Sequence, residues 1–261
     1  MINTSLLIHI GYPKTGTTWL QRAVFTESNG YTPLGQDVKD MGWDFIYGYE
    51  ENDSPFAFNS QHTIQKIEQA VQAAPSFPVI SNEDLTGHPL CGGIAGRDIA
   101  NKLSDVFEKP RILITIREQT SMIRSLYEHY IRTGGICSIS AFLKTQNETQ
   151  IPFFNPAVFE YDRLISYYQD LFGKENVLVL PYELLRNDLP EFLAKISMFT
   201  EIDIDLTNID TSSQNTSDIS LSHAAILLRH LNILWGPRRN HNMRTGPGTI
   251  QSSRKFWRAL S

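Results

Sequence analysis

An apolar run, Ser5 to Ile10, passes directly into Gly11-Tyr12-Pro13-Lys14-Thr15-Gly16-Thr17-Thr18-Trp19-Leu20, and a helical pattern then holds over Thr17 to Thr26. A buried strand, a glycine-bearing turn and a helix start in such short order leave few options. Free main-chain N–H groups and the positive end of the helix dipole converge on one point, which makes the turn an anion cradle. Three more short apolar runs read as buried strands: Pro78 to Ser81, Arg111 to Arg117 and Asn176 to Leu180. Helical patterns lie between and after them, over Gln61 to Ala74, Thr120 to Arg132, Val158 to Phe172, Leu189 to Thr200 and Leu221 to Trp235. Alternating strands and helices predict an α/β fold, a central parallel sheet flanked by helices in a P-loop-like nucleotide-binding arrangement. Ligands of such sheets bind beyond the carboxyl ends of the strands, here just after Ile10, Ser81, Arg117 and Leu180.

No repeat or low-complexity linker divides the 261 residues, so a single domain over 1–261 is expected. The stretch from Tyr31 to Phe58 lacks regular periodicity yet holds Tyr31, Trp43, Phe45, Tyr47, Tyr49, Phe56 and Phe58. These rings either wall an acceptor pocket or pack an insert onto the sheet.

Charge is distributed unevenly. The formal net charge of −5 argues against a nucleic-acid binder. After Asp218, however, there is no acidic residue, while Arg229, Arg238, Arg239, Arg244, Arg254, Lys255 and Arg258 follow. A basic tail on an acidic body points to an anionic ligand or to a solvated helix face. Two cysteines, Cys91 and Cys137, supply no disulfide framework. With no apolar stretch near the length of a membrane span and no visible signal peptide, the expectation is a cytoplasmic protein. The oligomeric state is not legible.

The loop differs from the nucleoside-triphosphate pattern GxxxxGK[ST]: both glycines match, but Thr17 stands where that pattern has lysine, and the lysine lies inside the loop as Lys14. No convincing magnesium-binding aspartate ends a later strand. The loop is therefore suited to phosphate and poorly suited to ATP with magnesium.

Tyr12 to Leu20 resembles the 5′-phosphosulfate loop of the sulfotransferases that use 3′-phosphoadenosine 5′-phosphosulfate (PAPS) as donor and release PAP. The resemblance implies that Lys14 contacts the 5′-phosphate and the leaving oxygen. It implies too that Thr15, Gly16, Thr17 and Thr18 bind that phosphate and that Trp19 stacks on the adenine. Arg117 at a strand end, with Ser125 eight residues on, is similar to the family's 3′-phosphate element, although Ser121 or Arg124 fits the same local argument. Phe159 to Glu183 looks like the family's helix, strand and Tyr-Glu turn, with Tyr182 near the adenine and Thr216-Ser217 near the base. Arg244-Thr245-Gly246-Pro247-Gly248 loosely resembles the family's 3′-phosphate loop; its lysine is missing, and Arg238, Arg239 and Arg254 are rivals. No metal is implied.

Sulfuryl transfer needs a general base opposite the leaving oxygen. Glu83, after the strand ending at Ser81, is the candidate, with Asp84 and His88 as alternatives. His129 reads as a packed or surface residue, and His223 with His230 lacks a third metal ligand. Small-molecule members of the family carry histidine at this place, whereas a glutamate resembles the glycan and protein-tyrosine members, which favours a carbohydrate hydroxyl, or an amine, as acceptor. A small-molecule kinase and a non-catalytic nucleotide-binding module are the alternatives.

Overall fold

The computed structural model describes residues 1–34, 41–47, 58–133, 135, 138–144, 152–209, 238–239 and 243–244. Five strands, β1 (Leu7–His9), β2 (Tyr31–Pro33), β3 (Phe77–Ser81), β4 (Arg111–Ile116) and β5 (Val177–Pro181), form one sheet in the order β2-β3-β1-β4-β5. All pairs in it are parallel. The helices, in chain order, are α1 (Thr17–Trp19), α2 (Met41–Tyr47), α3 (Ser60–Ala73), α4 (Gly96–Val106), α5 (Gln119–Arg132), α6 (Ile139–Phe142), α7 (Tyr161–Phe172), α8 (Tyr182–Asn187) and α9 (Leu189–Thr200).

Alternation along the strands builds two cores. Ile8, Ile80, Ile112 and Ile114 face Ile67 of α3, Ile99 and Leu103 of α4, and Tyr168 and Phe172 of α7. Leu7, Val79, Leu113 and Leu180 face the other way, onto Leu20, Val24 and Phe192, Leu193 and Ile196 of α9. The inner strands β1, β3 and β4 are buried on both sides, which is why they read as mostly apolar runs in the sequence.

Several elements depart from expectation. A fifth strand, Tyr31–Pro33, is only three residues long and includes Pro33, too short and too broken to show a period. Helix α4 was not anticipated, although its buried Ile99, Ala100, Leu103 and Val106 follow helical spacing. The expected helix over Thr17 to Thr26 is α-helical only to Trp19; Leu20–Val24 is a π-helical turn. The N–H of Phe25 bonds the Leu20 carbonyl, and the Asn29 side chain takes up the carbonyls of Ala23 and Val24. The Tyr-Glu turn is the start of α8. Of the aromatic insert, Tyr31 and Phe45 are fully buried and Phe58 packs on Phe45 at 6.0 Å between centroids, so these rings pack onto the sheet. Tyr49 and Phe56 lie outside the described residues, as does the expected helix over Leu221 to Trp235.

The chain divides into two compact units. The first, Met1–His88, Gly93–Glu118 and Ala157–Gln214, contains the sheet. The second, Pro89–Gly92, Gln119–Pro156 and Asn215–Ser261, has its own cluster of Tyr127, Tyr130, Ile131 and Phe142. Arg238–Arg239 and Met243–Arg244 pair as a short antiparallel ribbon, with Arg238 opposite Arg244.

Candidate active site

The loop after β1 is held in an unusual backbone shape. Lys14 has φ 70° and Gly16 has φ 87°, so the chain visits the left-handed region twice within three residues. A side chain is tolerated there at Lys14 but not at Gly16, where a β-carbon would stand 2.7 Å from Cδ2 of Leu185. Gly16 serves as N-cap to α1 and supplies no side-chain cap to the first turn of the helix. Lys14 is partly exposed, Thr18 exposed, and Thr15 and Thr17 buried. The hydroxyl of Thr17 is buried with no hydrogen-bond partner, one of three such side-chain atoms among the described residues.

The neighbouring strand ends converge on this loop. The N–H of Tyr12 bonds the Thr115 carbonyl at 3.0 Å, tying the loop to β4. One step further on, Nη1 of Arg117 donates to the Lys14 carbonyl at 3.1 Å. The guanidinium lies 4.8 Å from the centroid of the Tyr182 ring, and the Tyr161 hydroxyl donates to the Arg117 carbonyl at 2.7 Å. Tyr182 also borders Gly16, so loop, Arg117 and the start of α8 form one assembly. Ser125 is buried on α5, in the second unit, eight residues beyond Arg117.

From β3, the N–H of Asn82 bonds the His9 carbonyl and its side chain accepts from the N–H of Asp84, which starts a 3-10 turn over Glu83–Thr86. Gly42 of α2 packs directly on this turn: a β-carbon there would meet Cβ of Asn82 at 2.7 Å. Burial pushes the Glu83 carboxyl above its ordinary range, Asp84 adds to the rise, and the ammonium of Lys14 opposes it. Lys14 and Glu83 therefore sense one another's charge. Of the alternatives, Nε2 of His88 lies 4.0 Å from a carboxylate oxygen of Asp84.

Trp19 is 5% exposed and belongs to the second core, with Leu20 and Tyr182. Thr216 falls outside the described residues, as does Arg254; of Arg238, Arg239 and Arg244 the ribbon gives the backbone only. No group of three or more His, Cys, Asp or Glu that could hold a metal occurs among the described residues. Sequence reasoning overlooked His9, fully buried beneath the loop between Ser81 and Thr115. Its signal was a lone titratable residue inside Leu6-Leu7-Ile8-His9-Ile10.

A family model described as the sulfotransferase domain matches residues 4–229. Among solved structures, a sulfotransferase from Alicyclobacillus acidocaldarius is similar with a TM-score of 0.57 at 15% identity, over 89% of this chain and 96% of that one. A sulfotransferase domain from the curacin biosynthetic pathway aligns with a TM-score of 0.49 at 13% identity, over 86% and 83% of the two chains. The mouse sulfotransferase SULT7A1, solved with PAP, aligns with a TM-score of 0.47 at 17% identity, over 84% of this chain and 66% of that one. No curated protein matches the chain. The family match runs through the phosphate loop, the turn after β3, Arg117 and the start of α8, and by it this chain belongs to the PAPS-dependent sulfotransferase family.

Proposed function

We propose that the chain, acting as one sulfotransferase domain over 1–261, transfers a sulfuryl group from PAPS to a carbohydrate hydroxyl or an amine in the cytoplasm, without a metal ion. The observation that carries this reading is the buried, unpartnered hydroxyl of Thr17 at the junction of loop and helix. A buried hydroxyl left unsatisfied costs about 1–3 kcal/mol. An anionic oxygen seated among the N–H groups of Thr15 to Thr18 satisfies it.

PAPS supplies an activated sulfuryl group on a phosphate oxygen that departs with negative charge. Lys14 neutralises that charge as it develops, and the N–H groups of Thr15, Gly16, Thr17 and Thr18 hold the 5′-phosphate in place. Arg117, with its planar fork, and Ser125 take the 3′-phosphate; Arg244 of the basic ribbon adds to the same charge. Trp19, Tyr182 and Thr216 border the adenine. Glu83 takes the proton of the acceptor as the new oxygen–sulfur or nitrogen–sulfur bond forms, and its raised affinity for protons suits it to that task. A glutamate in this role, as in glycan-modifying members, favours a carbohydrate acceptor.

Thr17→Val tests the carrying observation. Removing an orphaned hydroxyl for an isosteric methyl leaves the ligand-free protein as stable or more stable, while PAP binding weakens about tenfold. A variant that binds PAP as tightly as wild type removes Thr17 from the site. Labelled sulfate from PAPS, offered with carbohydrates, phenols and amines, is expected on a carbohydrate; transfer confined to phenols refutes the acceptor assignment.

A further inference from the structure

Beneath the loop lies a row of polar side chains. Leu7, His9 and Gly11 alternate onto one face of the sheet, and toward its carboxyl end His9, Ser81 and Thr115 succeed the apolar Leu7, Val79 and Leu113 of the second core. Both His9 and Thr115 are completely buried. Nδ1 of His9 lies 2.8 Å from the Ser81 hydroxyl, and Nε2 lies 3.2 Å from the Thr115 hydroxyl. The Thr115 hydroxyl is 2.7 Å from that of Thr15, which donates to the Tyr12 carbonyl. At the opposite end the Gln21 amide nitrogen lies 2.7 Å from the Ser81 carbonyl and 3.2 Å from its hydroxyl.

The two terminal carbonyls fix the direction of every proton between them. A carbonyl only accepts, so Thr15 spends its single proton on Tyr12 and must receive one from Thr115. Thr115 has then spent its own and receives from His9, which therefore carries its hydrogen on Nε2. Counting from Gln21 gives the same answer: its N–H groups donate to the carbonyl and hydroxyl of Ser81, leaving the Ser81 proton for Nδ1 of His9. Burial holds the imidazole far below its ordinary range, at about 3, so it stays neutral. Gly11 makes the room, because a β-carbon there would stand 2.1 Å from the Thr115 hydroxyl and 2.6 Å from Nε2 of His9.

We infer that His9 is a positioning residue of the donor site, the centre of a one-directional hydrogen-bond chain, Gln21 to Ser81 to His9 to Thr115 to Thr15 to Tyr12, that sets the phosphate loop against the ends of β3 and β4. Glu83 follows Ser81 by two residues and Arg117 follows Thr115 by two, so the chain ties together the backbone segments that carry Lys14, Glu83 and Arg117. The inference rests on reading this loop as the cradle of the donor's phosphate.

Thr115→Val keeps the shape of the side chain and breaks the link, whereas Thr115→Ser keeps the link; Ser81→Ala breaks it at the other end. PAP binding by calorimetry is expected to weaken about tenfold in Thr115→Val and Ser81→Ala and to stay within about twofold of wild type in Thr115→Ser. The donor KM rises in parallel while the acceptor KM holds, a split that mere loss of stability does not produce. In ligand-free wild type, imidazole nitrogen shifts place the His9 proton on Nε2 from about pH 5 to pH 8, where an ordinary histidine titrates. A proton on Nδ1, or a Thr115→Val protein that binds PAP like wild type, overturns the inference. Should wild type itself fail to bind PAP, the functional reading falls, and the nitrogen shifts of ligand-free protein alone decide the chain.

Discussion

Lys14→Ala is expected to lower kcat by about 10³-fold, the upper range for loss of one preorganised charge-stabilising donor. Lys14 sits at φ 70° in a loop whose carbonyl at that residue is held by Arg117, so its ammonium is carried on a fixed stem. Alanine has the same β-carbon and meets the same backbone constraint, so the loop keeps its shape and the loss falls on the chemistry. Lys14 also lowers the proton affinity of Glu83. Its removal therefore moves the acid limb of the residual activity to higher pH. Steady-state kinetics across pH measure both effects, and near-normal turnover is incompatible with the role given to Lys14.

Glu83→Gln is expected to cost about 10²–10⁴-fold in kcat, the range for a positioned general base, while PAP binding is retained. The variant also gains stability at neutral pH, and the sign follows from the raised proton affinity. Because the folded protein holds the Glu83 proton more tightly than the unfolded chain, the group favours folding fully below the ordinary carboxylate range and loses that contribution as pH rises through its raised folded value. At pH 7 an ionised Glu83 is thus a net cost that glutamine removes. Thermal melts should place Glu83→Gln above wild type at pH 7, with the gap closing toward about pH 4. An active Glu83→Gln enzyme moves the base to Asp84 or His88; an inactive one of unchanged or lower stability contradicts the burial that sets Glu83 apart.

Much of the first unit was legible because strands buried on both faces leave mostly apolar runs, as β1, β3 and β4 do, and the edge strand β5 is apolar over Val177 to Leu180 as well. The Lys14 loop was legible because its chemistry is local: glycine for a left-handed turn, lysine within it, hydroxyls at the helix start. Long-range burial was not. Nothing local in the sequence marks Trp19 as buried, and it lies in the core cluster with Leu20 and Tyr182. The run from Tyr31 to Phe58 reads as irregular because β2 and α2 are short, and the packing of α2 comes from Phe45 against Phe107 and Gly42 against Asn82, contacts between distant segments. His9 escaped notice for a related reason: within one strand it is a lone polar residue, and only the register of β1 with β3 and β4 brings Ser81 and Thr115 beside it.

Charge at the loop bears on the proposed donor. A nucleotide with a phosphate monoester and a phosphosulfate carries about four negative charges. Lys14 and Arg117 stand together at the loop, Nη1 of Arg117 donating to the Lys14 carbonyl.

Thermal unfolding with PAP in the presence of a chelator, set beside ATP with magnesium, tests the account most directly. Ligand at about a hundred times its Kd adds roughly 2.7 kcal/mol of stability. For a chain of this size that corresponds to a rise in Tm of about 5–10 °C. The account predicts that rise with PAP and chelator and none with ATP and magnesium. A rise with ATP and magnesium alone would contradict it and make the loop a triphosphate site.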